Sequence, residues 1–343
     1  MKDKKTYRLS FLVLLLVLFA CFAVNVSLGS VSIPFSDTIH AIYGGQIANE
    51  QWQYIIWNYR VPKALTAILI GSGLALSGLL MQTLFRNPLA GPFVLGISSG
   101  ASLGVALLIM GSTAFAGFFS IGLISDISLI IAASIGSFLV LLTVMAVATK
   151  VKDTMALLII GLMFGSITAA LVSVLSYFTS AEKLQQFMYW SFGSVGNLSW
   201  QQLSLLLGII LIGIVLSILS IKSLNALLLG ENYARSLGVD IKKSRYIIII
   251  ATGLLAGGTT AFAGPIAFVG LAVPHLTRQI FDTTDHKVLT PAVLVYGAIL
   301  MLLCDTIAQL PASVNLLPIN AITSIIGAPV VIWLLVRKRK MIF

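Results

Sequence analysis

The sequence predicts an all-α integral membrane protein of about ten transmembrane helices, helices 2–5 forming an inverted repeat of helices 7–10, with both termini cytoplasmic. Three observations predict it. The 343 residues are 58% apolar and only 9% charged, with a mean hydropathy of +1.04, whereas soluble domains carry about 25% charged residues. Apolar runs of the roughly 20 residues needed to cross a bilayer recur along the whole chain. The tripeptide Ala-Gly-Pro occurs twice, at Ala90-Gly91-Pro92 and Ala263-Gly264-Pro265, after the second and seventh runs. An offset of five is odd, so the two copies enter the membrane from opposite sides.

The runs span approximately 9–28, 62–82, 93–111, 127–149, 154–178, 201–221, 246–264, 266–281, 288–309 and 319–336. The first follows Met1-Lys2-Asp3-Lys4-Lys5, and its apolar length exceeds the 7–15 residues of a signal-peptide core. It is expected to stay as a span, because Phe19 suits the Leu18-Phe19-Ala20-Cys21 stretch poorly to lipoprotein cleavage. Small residues Gly71, Gly73, Ala75 and Gly78 line the second run at spacings that permit close helix packing. Runs 3 and 8 are interrupted, the third by Gly96, Ser98, Ser99, Gly100 and Gly104, the eighth by Pro274. Backbone freed by such breaks must be buried in protein or line a cavity. Asp305 stands near the end of run 9, where an ionised carboxylate costs about 2.5–3.5 kcal/mol at a helix centre. A partner or water is implied. A single carboxylate makes no relay, so a hydrogen-bonded structural role is expected ahead of a pathway role.

With the N-terminus inside, 18 of the 21 Lys and Arg residues fall on the cytoplasmic side, and only Arg60, Lys63 and Lys183 fall outside. That asymmetry sets the orientation. It also accounts for the net charge of +10 without nucleic acid as a partner. Three connections are long. External ones run from about Gly29 to Val61, with Trp52, Tyr54 and Trp57, and from about Thr179 to Trp200; a cytoplasmic one covers about 222–245. Residues 1–343 therefore read as one transmembrane domain with one cytoplasmic segment.

Several chemistries are excluded. Cys21 and Cys304 lie within apolar runs and read as small buried hydrophobes. The histidines His40, His275 and His286 are scattered, so no metal site is expected. The dipeptide Gly-Lys of a phosphate loop never occurs, so this chain does not hydrolyse nucleotide and is not expected to be an enzyme. Binding features are more telling. In Leu224–Val239, Gly230 and Gly238 punctuate short helices, Ala234 and Leu237 share a face, and Glu231 stands i, i+4 from Arg235. This is either an inert connector or a helix that docks into a groove on a cytosolic protein. Gln82–Pro92 reads as a rigid turn, although Gln82 and Asn87 carry more hydrogen-bonding capacity than a turn requires. Arg60 and Lys63 flank Pro62 as headgroup anchors or as a positive patch for an acidic external protein.

Several motifs in order give the chain its resemblance. They are Arg60-Val-Pro-Lys63, Ser77-Gly78 through Met81-Gln82, Arg86-Asn-Pro-Leu-Ala90 with Pro92 and Leu95-Gly96, Gly264-Pro265, Ala267-Phe-Val-Gly-Leu271, Pro274-His275 with Arg278, and Thr323-Ser-Ile-Ile-Gly-Ala-Pro329. Over essentially its whole length the chain resembles FecCD-like permease subunits of type II ABC importers, the iron-siderophore, haem and cobalamin class. The resemblance implies a bacterial cell-membrane protein partnered by a second permease (identical or paralogous), two cytosolic ATPases and an external substrate-binding (lipo)protein. ATP and Mg would bind the ATPase, and this chain would bind no cofactor. It implies ATPase-coupling contacts at Gly230, Glu231, Ala234, Leu237 and Gly238, a cytoplasmic gate near Asn87, Leu89 and Thr154, and binding-protein docking at Arg60 and Lys63. Lys63 stands where the family often has Arg, which weakens bidentate carboxylate pairing, and Gln309 stands where some members have a further basic residue. The cargo expected is an iron chelate, a ferric siderophore, with haem or cobalamin as alternatives. A bulky cargo calls for a wide path of small side chains, here Gly161, Gly165 and Ser166 of the fifth run. The rival from another class is an ion-coupled secondary transporter, for which Asp305 is the one strong intramembrane carboxylate.

Overall fold

A computed structural model describes residues 4–29, 31, 33–42, 45, 49–114, 125–148, 151, 154–196, 198–309 and 316–336. Among them there is no strand. The helices are α1 (Lys4–Ser27), α2 (Phe35–Ile42), α3 (Glu50–Leu84), α4 (Ile97–Ala114), α5 (Asp126–Ala148), α6 (Thr154–Tyr177), α7 (Ala181–Ser191), α8 (Trp200–Leu219), α9 (Ile221–Leu228), α10 (Glu231–Ser236), α11 (Ile241–Ala263), α12 (Val269–Phe281), α13 (His286–Ala308) and α14 (Ile319–Val336). Each expected apolar run coincides with a helix. Seven are long and apolar enough to cross a bilayer by length and composition: α1, α3, α5, α6, α8, α11 and α13. α4 and α14 are apolar but shorter, and α12 has 13 residues.

One boundary differs from the sequence reading. The second span begins at Glu50, so Trp52, Tyr54 and Trp57 belong to the helix and not to a connection. A π turn at Ile56–Arg60 precedes Pro62. Proline supplies no N–H and crowds the carbonyl four residues back. A widened turn, closed by the Val61 N–H on Ile56 O, lets the helix run through it.

α3 is the centre of the molecule and is buried from Ala64 almost without interruption to Phe85. It packs along α13 and also against α12, α8 and α11. The expected close packing is present: a Cβ at Gly71 would collide with the Gly297 carbonyl, and one at Gly78 with the Gly270 carbonyl. In mirror fashion α11 packs on α5, α4 packs on α5 and α6, and α12 packs on α13 and α14. Each half thus lends its first helix to the other half, and the repeat interlocks.

Both Ala-Gly-Pro copies mark breaks. After the first comes a short 3-10 turn, Pro92–Leu95, ended by Gly96 at φ 71°. At the second, Gly264 (φ 74°) and Phe268 (φ 66°) turn the chain into α12. The freed backbone groups find protein partners: Ser194 N donates to Ala263 O at 2.8 Å, Ala267 N to Asn320 Oδ1 at 3.0 Å, and Ser137 Oγ to Ile97 O at 3.1 Å.

Candidate functional site

The two polar ends of the bundle differ in chemistry. One carries Arg86, Lys222, Arg235, Lys242, Lys243, Arg245, Arg278 and Lys287. There the end of α3 and the loop after it are pinned to α12 by three bonds. Gln82 Nε2 donates to Leu271 O at 3.2 Å, Arg278 Nη1 donates to Gln82 Oε1 at 2.9 Å, and His275 Nε2 lies 2.8 Å from Pro88 O. The surplus hydrogen-bonding capacity of Gln82 is thus spent on a second helix. Asn87 spends its own locally, Oδ1 accepting from Leu89 N at 2.9 Å, and Leu89 is left exposed. Beside this loop, Arg86 lies against Gly230, so the expected gate and coupling residues meet at one end. Thr154 opens α6 at the same end; its side chain lies outside the described residues.

The segment expected to contact an ATPase is α10, bracketed by Gly230 (φ 103°) and Gly238 (φ 80°), conformations that favour glycine. Its contacts differ from the expectation in two ways. Glu231 is ion-paired with Arg245 of α11 at 3.1 Å instead of with its i, i+4 neighbour Arg235, and Arg245 also donates to Val151 O at 3.2 Å. Ala234 is fully buried and faces inward. The exposed apolar positions are Leu229 at 61%, Tyr233 at 59% and Leu237 at 59%. Leu229 closes α9 ahead of the break at Gly230, whereas Tyr233 lies on α10 and Leu237 caps its end. Leu229 and Tyr233 were not among the residues expected from the sequence, although both are large side chains of that segment.

The opposite end carries Arg60 and Lys63. Both side chains turn inward. Arg60 is 8% exposed and donates to Val26 O at 3.0 Å, Ser27 O at 2.7 Å and Val31 O, capping α1. Lys63 Nζ is 3.2 Å from Asp305 Oδ1. Asp305 Oδ2 accepts from Asn25 Nδ2 at 2.9 Å and Gln309 Nε2 at 2.8 Å. In this arrangement neither cation is presented outward, so docking by either would first require breaking internal bonds. Asp305 has the partners its burial requires. Of the three α6 residues expected on a path, Ser166 is exposed, Gly165 is half-buried beside Ser99, and Gly161 is buried against Val94 and Leu95, a packing position.

Comparison with known proteins bears on this arrangement. The model of the FecCD transport family matches residues 14–337. The chain belongs to the FecCD transport family. Its curated relatives include the vitamin B12 import system permease protein BtuC of Klebsiella pneumoniae subsp. pneumoniae, 38% identical over 304 residues, covering 85% of this chain and 88% of the relative. BtuC of Salmonella typhi is 38% identical over 305 residues, covering 85% and 90%. Among solved structures, an inward-facing ABC transporter assigned to the metal-chelate type superposes with a TM-score of 0.81 at 32% identity, over 96% of this chain and 98% of the other. PsaBC from Streptococcus pneumoniae shares the fold, with a TM-score of 0.54 at 17% identity, covering 88% of this chain and 95% of that one. This FecCD chain is accordingly a multi-pass membrane permease of the ABC importer class, and its relatives are transport proteins, not enzymes.

Proposed function

We propose that this chain is the membrane-spanning subunit of an ATP-driven importer that passes a bulky metal chelate into a bacterial cytoplasm. The observation that carries the reading is a glycine-bracketed helix with Tyr233 and Leu237 exposed, and Leu229 exposed just ahead of it, at the cation-rich end of a FecCD-family chain. That end is read as cytoplasmic because cytoplasmic loops hold the excess of Lys and Arg. A groove on a cytosolic ATPase would receive the three side chains, and its closure would rock α10 and the spans beneath it. Asn87 and Leu89 lie beside that segment, at the mouth of the path. Cargo would pass between two permeases, along the exposed face of α6 that includes Ser166.

The cargo is argued by chemistry. Cobalamin and ferric siderophores are both bulky metal chelates. The BtuC relatives are named for vitamin B12, so cobalamin is the first cargo to test and a ferric siderophore the second. An ion-coupled mechanism lacks support, because Asp305 is occupied by Lys63, Asn25 and Gln309.

The test is co-purification with a candidate ATPase and second permease, followed by uptake of labelled cobalamin and labelled ferric siderophore with a loaded external binding protein. Leu237→Asp should weaken ATPase association by about tenfold or more, given the roughly 1.5–3 kcal/mol of a buried leucine, without lowering thermal stability. Unchanged ATPase association in both Leu237→Asp and Tyr233→Asp would sink the docking assignment.

A further inference from the structure

Ahead of the coupling helix, α9 presses Leu224 and Leu227 into the core and carries one amide toward the ends of two spans. The orientation of Asn225 follows from its neighbours. The His286 N–H can only donate, so Oδ1 faces it at 2.9 Å, and Nδ2 donates to Asp285 Oδ1 at 2.7 Å. Imidazole Nδ1 of His286 lies 2.7 Å from the same Oδ1. Facing an atom that only accepts, Nδ1 carries the ring proton. On the far side of the ring, Nε2 lies 2.9 Å from Thr83 Oγ1 in the last turn of α3. His286 and Thr83 are both fully buried. An unbroken polar chain therefore runs from α9 to the first turn of α13 and the last turn of α3, the two helices that pack along each other at the centre of the bundle.

We propose that Asn225, His286 and Thr83 form a polar joint through which movement of α10 reaches α3 and α13. The inference rests on the importer reading above and adds to it the residues that carry the motion. None of the three is expected to touch cargo or nucleotide; they are positioning residues. Leucine contacts alone can slide over one another, whereas directional bonds to a buried imidazole hold one discrete arrangement, since an unpaired buried group is costly. The joint also has a second arrangement available at one end. Thr83 Oγ1 lies 2.9 Å from Leu79 O, so its single proton has an acceptor within α3 whenever it leaves Nε2. A side chain with two alternative partners is the kind of element a switching helix can bias.

The test measures cargo imported per ATP hydrolysed, in proteoliposomes holding the permeases and the ATPase, with cobalamin-loaded binding protein outside. Asn225→Ala and Thr83→Val should lower that ratio roughly two- to thirtyfold, the range of coupling changes for linking residues, while ATP hydrolysis stays close to wild type. Thr83→Ser, which restores the hydroxyl, should restore the ratio. An unchanged ratio in both Asn225→Ala and Thr83→Val overturns the joint. So does a matched fall of hydrolysis and uptake together with a lowered melting temperature, which would mark a merely structural contact. If wild type itself shows no ATP-dependent uptake of cobalamin or ferric siderophore, the importer reading fails; if wild type imports and the variants match it, the joint alone fails.

Discussion

At the scale of single residues, charge burial is the organising cost. Lys63 and Asp305 stand 242 positions apart in sequence and meet at 3.2 Å, with Asn25 and Gln309 completing the carboxylate. Removing one member of such a pair strands the other, at about 3–5 kcal/mol when both are buried. Lys63 keeps 18% side-chain exposure, so the lower end applies, and Asp305→Ala should destabilise by about 3 kcal/mol. The double variant Lys63→Met, Asp305→Leu should lie closer to wild type, as read by thermal melting in detergent. A double variant as unstable as Asp305→Ala would show that the pair is not what holds α3 to α13 at this end. At the other end, Asp285 caps α13. Burial works against its charge, but hydrogen bonds from the Lys287 N–H and the Asn225 amide, with the nearby Lys287 charge, prevail and lower its pKa. A depressed folded pKa contributes stability above the unfolded value of about 3.9 and loses it as pH falls through the folded value. Wild type should therefore exceed Asp285→Asn in stability at neutral pH, and the gap should close below about pH 4.

At the scale of elements, the physics that was legible was local. Apolar length placed the helices, and the small residues of run 2 placed the tight contact, because a stripe of glycines has few uses other than close approach. Gly78→Val should then prevent assembly or cost at least about 3 kcal/mol, the upper end for overpacking, since the atom in its way is the Gly270 carbonyl and not a side chain that can turn aside. A Gly78→Val protein that extracts and melts like wild type would contradict the packing. What was not legible depended on distant partners. Arg60 reads as an outward cation from its neighbours in sequence, yet α1 ends beside it and offers two carbonyls, with a third from Val31 just beyond. Glu231 has a cation at i, i+4, yet α11 brings Arg245 within 3.1 Å. Ala234 shares a face with Leu237 by spacing, but a six-residue helix turned by two left-handed glycines buries one and exposes the other. Tyr233, by contrast, lay in plain view. It is the one large aromatic of that segment, next to Ala234, and it is 59% exposed.

At the scale of the molecule, the interlocked halves explain why a break at each Ala-Gly-Pro does not weaken the fold. The first break is bonded by Ser137 of its own half and packed on Gly270 and Leu271 of the other, and the second is bonded by Ser194 of a connection and Asn320 of its own half. The breaks shape the bundle; at its cation-rich end α10 begins beside Arg86 of the loop after α3, and α9 bonds to the start of α13. The importer proposed above would draw its energy from a separate ATPase. The most direct measurement is uptake of labelled cobalamin into proteoliposomes containing the permease, its second subunit and the ATPase, with loaded binding protein outside. Uptake that requires internal-facing ATP and Mg and persists in the presence of an ionophore is the predicted result. Uptake that proceeds without the ATPase and collapses with the ionophore would contradict it.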